Sequence, residues 1–200
     1  VTRDYIMNER PDVIINLVDG SNIERNLYLT TQLTEMGIPV IIALNMMDIV
    51  KKNGDRIDTR KLTEELGCEV IETSAVRGIG SKEAADRAVQ MAKAGVGTQP
   101  QHTFSGPVED ALARIRELAG ELVPAENARW YSIKLFERDA KVLEQLQLPA
   151  DVKVNLETVV SDCEKQFDDD SESIITNERY RYIAGLMKDC VHKKNAGIAP

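Results

Sequence analysis

No glycine-rich phosphate loop of the form GxxxxGK[ST] occurs anywhere in the 200 residues, and no GxGxxG follows a predicted strand. The first absence removes the usual backbone cradle for nucleotide phosphates. The second argues against a dinucleotide enzyme of the Rossmann type. Cysteine is scarce: Cys68, Cys163 and Cys190 are odd in number and far apart, without a CxxC pair. They read as reduced thiols of a reducing compartment, packed as small hydrophobes. Positive charge is in deficit, with 25 Lys and Arg against 33 Asp and Glu, and both halves of the chain are acidic. Neither half offers the basic face that a nucleic-acid backbone requires, so no nucleic-acid partner is expected. Long hydrophobic runs are missing too. The longest, around Ile38 to Met47, is broken by Pro39 and Asn45 and falls short of the roughly 20 residues a membrane helix needs. No signal peptide is visible, and the chain opens on Val1 in mid-pattern without an initiator Met, as a piece of a longer chain would.

What is present is the composition of a globular, soluble, cytosolic protein of one or two small domains, 42% hydrophobic and 29% charged. Through residues 1–97 strand and helix patterns alternate, which is the signature of a parallel sheet covered by helices. Val13 to Val18 is a near-continuous apolar run closed by Asp19-Gly20. Ile23, Leu27, Leu29, Leu33 and Met36 then mark a helix that Gly37 ends, and Pro39 opens the next strand. Val40 to Leu44 is apolar throughout, as a strand buried on both faces must be. Asp58 is a fair N-cap for a helix through Leu66, stopped by Gly67. A strand Glu69 to Thr73 follows, and Ser81 caps a helix ending near Gly95.

Gly95 to Gln101 changes composition abruptly and reads as a linker, placed at residues 98–104 between the two parts. After it the strand signals largely disappear. Helices are predicted from about Pro107 to Ala119, Ala125 to Glu137, Asp139 to Leu146, Ala150 to Phe167 and Ser171 to about Lys193. In the last, Tyr180, Ile183, Met187 and Cys190 recur three and four apart and predict one buried packing stripe. Residues 105–200 thus read as an all-α helical bundle, and no internal repeat is found.

Chemistry concentrates in two short segments. Asn45-Met46-Met47-Asp48 directly follows the strand Val40 to Leu44, and Ser74-Ala75-Val76 directly follows the strand Glu69 to Thr73. Both sit at carboxyl ends of strands, where open α/β sheets place their ligands. A guanine edge presents N1–H and N2–H side by side, and an ionised Asp48 accepts both in a bidentate, charge-assisted pair. Adenine would leave one carboxylate oxygen unpaired, a discrimination of several kcal/mol. Asn45 donates to the base and ties the two loops together. Backbone N–H groups of Ser74 and Ala75 are then placed to donate to guanine O6. The bland alternative is a pair of loops with good capping residues, since Asn and Asp are common there. Strand context on both segments favours the guanine reading. The predicted guanine-binding set is Asn45, Met46, Met47, Asp48, Ser74, Ala75 and Val76, with no catalytic residue and no metal ligand.

Asn45-Met46-Met47-Asp48 resembles the fourth guanine motif of the TRAFAC GTPases with Met in place of its usual Lys, the form found in the ferrous iron transport protein B family. Arg10-Pro11-Asp12-Val13-Ile14-Ile15-Asn16, the stretch Glu24 to Leu33 and Thr73-Ser74-Ala75-Val76-Arg77-Gly78 are similar to that family as well. So is Glu178-Arg179-Tyr180-Arg181-Tyr182-Ile183, near the end of its soluble part. The resemblance spans nearly the whole chain. It implies an α/β fold, an incomplete P-loop GTPase-like parallel sheet with flanking helices over residues 1–97, followed by a helical regulatory domain. It also implies GTP/GDP as ligand, a membrane transport domain of the same polypeptide as partner, and a place on the cytoplasmic face of the bacterial cell membrane. A homo-oligomer is compatible with it. The family's phosphate loop, first switch and Asp-x-x-Gly motif precede the segment resembling Val1 to Arg10, so Mg2+, expected in the intact protein, has no ligand assigned here. Residues 1–200 alone are therefore expected to lack GTPase activity. Met46 supplies only apolar, polarisable packing where Lys would lie over the base. The competing class is a non-enzymatic helical docking or oligomerisation module with vestigial nucleotide loops.

Three further features draw structural readings. Asp168-Asp169-Asp170 with Glu172 precedes a helix, where carboxylates favour the N-terminal dipole over a cation site. His102 and His192 lack partners at helical spacing and are expected on the surface. Lys193-Lys194 before Asn195-Ala196-Gly197 looks like a helix ending in a tether.

Overall fold

A computed structural model describes residues 2–95, 97 and 100–194. The linker reading at Val96, Thr98 and Gln99 and the tether reading at Asn195 to Gly197 lie outside the described residues. In chain order the elements are α1 (Thr2–Glu9), β1 (Ile14–Asp19), α2 (Ile23–Glu35), β2 (Val40–Asn45), α3 (Met47–Lys52), β3 (Arg56–Ile57), α4 (Thr59–Leu66), β4 (Glu69–Glu72) and α5 (Ser81–Ala94). Then follow α6 (Gly106–Ala119), α7 (Ala128–Phe136), α8 (Ala140–Leu146), α9 (Ala150–Phe167), α10 (Ser171–Cys190) and β5 (Val191–His192). Two compact units are formed, one from residues 1–102 with 183–200, the other from 103–182. The sequence pattern assigns all of 105–200 to one helical domain. The carboxyl end of α10 from Ile183 lies in the first of these compact units.

The first unit is built on a parallel sheet of order β1-β2-β4. Its centre is β2, where Val40, Ile41, Ile42 and Leu44 are fully buried and Ala43 nearly so. Full burial of each large aliphatic side chain contributes about 1.5–3 kcal/mol before entropy is subtracted, so this strand anchors the unit. Ile41 packs with Ile71, Ala84 and Ala88, seating α5 on the sheet. On β1 only Asn16 and Val18 turn inward, while Ile15 and Leu17 are exposed on the other face. Asn16 is held by the Thr30 hydroxyl, which donates to its Oδ1 at 2.9 Å. On α2 the expected stripe is corrected at Leu29, which is exposed, while Thr30, Thr31, Thr34 and Glu35 are buried. Two residues after Leu27 is the wrong side of a 3.6-residue helix.

Capping follows local chemistry closely at α4. Asp58 Oδ1 accepts from Lys61 N at 3.0 Å, and Gly67 ends the helix at φ 69°. At α5 the cap position belongs to Gly80, at φ 79°, and Ser81 is already helical. A Cβ on Gly80 would stand 2.2 Å from the Glu72 carbonyl, so the close approach as well as the positive φ requires glycine. His102 is also corrected: it is buried, with Nε2 3.0 Å from Glu35 Oε1. His192 is exposed as expected.

The second unit is helical throughout. On α6, Val108, Leu112, Ile115 and Ala119 form the buried stripe. Trp130, Ile133 and Phe136 of α7 and Leu156, Val160 and Cys163 of α9 are buried with it. Glu178 accepts from Ser105 N at 2.7 Å and Ser105 Oγ at 2.8 Å, tying α10 to the start of α6. Arg138, at φ 54° just after α7, forks onto Glu157 and Glu164 of α9. Asp170 accepts from Ser173 N at 2.9 Å, so the acidic run caps α10 as expected. On α10, Ile183 and Cys190 are buried but Tyr180 is half exposed, and Leu186 takes a place in the stripe.

Candidate functional site at the carboxyl edge of the sheet

Parallel pairing aligns the strand ends. Asp19 stands opposite Asn45, Leu44 stands opposite Glu72, and Thr73 N donates to the Leu44 carbonyl at 2.8 Å. The loops after β2 and β4 therefore leave the same edge as neighbours. A third loop, Asp19-Gly20, joins them. A Cβ on Gly20 would lie 3.0 Å from Asn45 O and 3.2 Å from Met47 Sδ, so this loop packs directly beneath the β2 loop. Sequence reasoning took Asp19-Gly20 as mere strand termination. Aligning all three strand ends would have found it.

Within the β2 loop the backbone turns through Met46, a non-glycine residue at φ 64° and ψ 25°. Such a left-handed residue costs about 1–2 kcal/mol, which the surrounding structure must offset. Here the Met46 carbonyl accepts from Ile49 N at 3.1 Å and Val50 N at 3.2 Å and so starts α3. The turn sorts the four residues. Asn45 and Met46 are half-buried, Met47 is buried at 7% exposure, and Asp48 stands exposed on the first turn of α3. An exposed carboxylate at this position is open to a donor pair.

The β4 loop closes on itself. Ser74 N donates to Ile79 O at 2.9 Å and Ile79 N returns a bond to Ser74 O at 3.2 Å. Gly78, at φ 64°, makes the turn possible. Ala75 and Val76 are exposed, Val76 almost completely. The Ser74 N–H is thus engaged inside its own loop. Lys51 and Glu72, 3.7 Å apart and largely solvated, add little. Among the described residues no group of three or more His, Cys, Asp or Glu side chains could hold a metal ion, and no helix is long and apolar enough to cross a membrane.

The family described as "Ferrous iron transport protein B" matches residues 1–88, and the "FeoB cytosolic helical domain" matches residues 104–192. The Fe(2+) transporters FeoB of Salmonella choleraesuis and Shigella flexneri are each 34% identical over 182 residues, 91% of this chain. The chain spans only 23% of the length of these relatives. Among solved structures, NFeoB from S. thermophilus bound to GDP.AlF4- and K+ is 41% identical with a TM-score of 0.87, over 94% of this chain and 73% of that one. The mGMPPNP-bound NFeoB from S. thermophilus is 38% identical with a TM-score of 0.85, over 100% of this chain and 74% of that one.

Proposed function

The chain belongs to the ferrous iron transport protein B family, and from that premise we propose that it is the cytoplasmic GTP/GDP-binding regulatory region of a bacterial iron(II) membrane transporter. The observation that carries the reading is the convergence of two loops at one sheet edge, with Asp48 exposed on the first turn of α3 and Ala75 and Val76 exposed after β4. Asp48 accepts N1–H and N2–H of guanine, and the Ala75 N–H donates to O6. Asn45, at the end of β2, positions the first loop against the second. Met46 packs its thioether side chain against the ring.

The roles divide by chemistry. These residues select the base, because a buried mispaired polar edge costs several kcal/mol. Phosphate binding, Mg2+ ligation and water positioning are assigned to no residue among the 200, since the sequence holds no GxxxxGK[ST]. Residues 1–200 alone are proposed to bind nucleotide weakly and not to hydrolyse it. The helical unit, residues 103–182, is proposed to act on the nucleotide cycle, and the pore to lie elsewhere in the polypeptide.

Asp48→Asn tests the base-reading role. Replacing an acceptor oxygen with a donor amide weakens GDP binding and favours xanthosine diphosphate, whose 2-oxo group accepts. Calorimetry on the intact protein, comparing GDP, xanthosine diphosphate and ADP, measures both effects. Unchanged preference in the variant rules out Asp48 as the base reader.

A further inference from the structure

From the base-reading loop a short, continuous run of contacts leads to the carboxyl-terminal residues of the first unit. It begins at Asp48 on α3, a helix of six residues and thus only about 9 Å long. So short a helix places the two ends of α3 within one compact segment. At its far end Asn53 N donates to Ile49 O at 2.9 Å, and Asp55 N donates to Val50 O at 3.0 Å, fixing the following turn to the helix. Asp55 then reaches across: its Oδ1 accepts from Lys194 N at 3.1 Å. Gly54, at φ 78°, lies under the Lys194 side chain, where a Cβ would stand 2.5 Å from Cδ. Next, β3 pairs with β5 antiparallel, Arg56 opposite His192 and Ile57 opposite Val191. Asp58 N donates to Cys190 O at 2.8 Å and completes the zipper.

Two features make this zipper suited to switching. Each strand has only two residues, and an isolated two-stranded pairing of that length is marginal in water. Beside the pairing lies a cavity of about 370 Å³, bordered by Gly20, Ile23, Val50, Ile57, Met187 and Val191. Close-packed interiors resist displacement, whereas a segment bordering a cavity meets fewer packed neighbours on that side.

We propose that the β3–β5 pairing is a latch through which occupancy of the guanine site sets the docking of residues 190–194. The proposal rests on the reading of Asp48 as the base reader. Guanine held by Asp48 fixes α3, α3 fixes Asn53 to Ile57, and that segment holds the tail closed. Coupling of this kind is reciprocal: opening the latch changes guanine-nucleotide affinity by the same factor by which the nucleotide changes the latch.

Amide hydrogen exchange on the intact protein, with GDP, with ADP and without nucleotide, tests it. GDP is expected to slow exchange in 45–50, 54–58 and 190–194 together, by about fivefold or more in the last segment, and ADP is not. Lys194→Pro, which removes the donor to Asp55, is expected to weaken GDP binding by the same factor. Asp55→Ala removes the acceptor instead and is expected to do the same should the first variant not fold. Protection by GDP confined to 45–50, with GDP affinity unchanged in both variants, overturns the latch. Equal response of 45–50 to GDP and ADP overturns the base-reading proposal on which it stands.

Discussion

Replacing Arg138 with Met is expected to destabilise the helical unit by about 2 kcal/mol, a figure that follows from how its guanidinium is shared. Nε and Nη2 donate to Glu157 at 2.9 and 2.7 Å. Nη1 and Nη2 donate to Glu164 at 2.6 and 2.9 Å, and Nη1 also reaches Ser171 Oγ at 3.1 Å. The Glu157 side chain is 56% exposed, so that fork behaves as a surface pair worth roughly 0.5 kcal/mol. Glu164 is 22% exposed and Arg138 34%, so the second fork is discounted only partly and contributes about 1.5 kcal/mol. Arg138→Gly loses the same bonds but relieves the residue at φ 54°, and is expected to recover about 1 kcal/mol. Urea unfolding followed by the fluorescence of Trp130, the single tryptophan, buried in this unit, reads the effect directly. With an m-value of about 1–2 kcal/mol/M, the midpoint for the Met variant falls by roughly 1–2 M. The pH dependence has a definite sign. The hydrogen bonds from Arg138 hold the carboxyls of Glu157 and Glu164 below their ordinary range. Their contribution is present above the unfolded carboxylate value, about 4.3, and is lost as pH falls through the lowered folded values. Wild type and Arg138→Met should therefore converge in acid. A deficit under about 0.5 kcal/mol at pH 7, or one that persists undiminished below pH 3, refutes this account.

Burial pushes the Cys68 thiol up to about 12 and the Cys190 thiol up to about 11. All three cysteines are free and buried, so iodoacetamide at pH 8 should leave native protein unmodified by mass and label all three sites in urea. Fast labelling of Cys68 in native protein contradicts its assigned environment. His102→Leu deprives the buried Glu35 carboxylate of its imidazole partner and is expected to cost about 2–4 kcal/mol in thermal unfolding followed by circular dichroism. A variant as stable as wild type shows that the pair contributes nothing net.

Elements specified by neighbouring residues were legible. The α4 helix between Asp58 and Gly67 needs only a capping carboxylate and a left-handed glycine, and both lie within it or beside it. The wholly apolar run of β2 announces burial on both faces. By contrast, β3 and β5 have two residues each and no alternation to detect. Their pairing is decided by packing between distant segments, and Val191 and His192 carry nothing that stops a helix. Extending α10 toward Lys193 was therefore the natural sequence reading, and the structure ends it at Cys190. His102 failed for a related reason. Its partner Glu35 lies 67 positions away, so no local spacing reveals that a buried acceptor waits for it.

At the candidate site the residue types were legible and the allocation of their atoms was not. Asn45 to Asp48 and Ser74 to Val76 are picked out by strand context, residue chemistry and the family resemblance, but which groups remain for a base depends on how each loop closes. Reading by type makes Ser74 a donor to guanine O6. The loop engages that N–H with Ile79 O, 2.9 Å away, which is why the O6 donor role is proposed for Ala75. Likewise the left-handed turn at Met46 buries Met47 and exposes Asp48, although both follow the same strand. On the proposed reading, selectivity at this edge depends on two backbone closures as well as on Asp48. A substitution that opens the Ser74–Ile79 bridge, such as Ile79→Pro, removes the donor that returns to Ser74 O. On the proposed reading, calorimetry with GDP is expected to show weaker discrimination at O6, with the effect of Asp48→Asn unchanged.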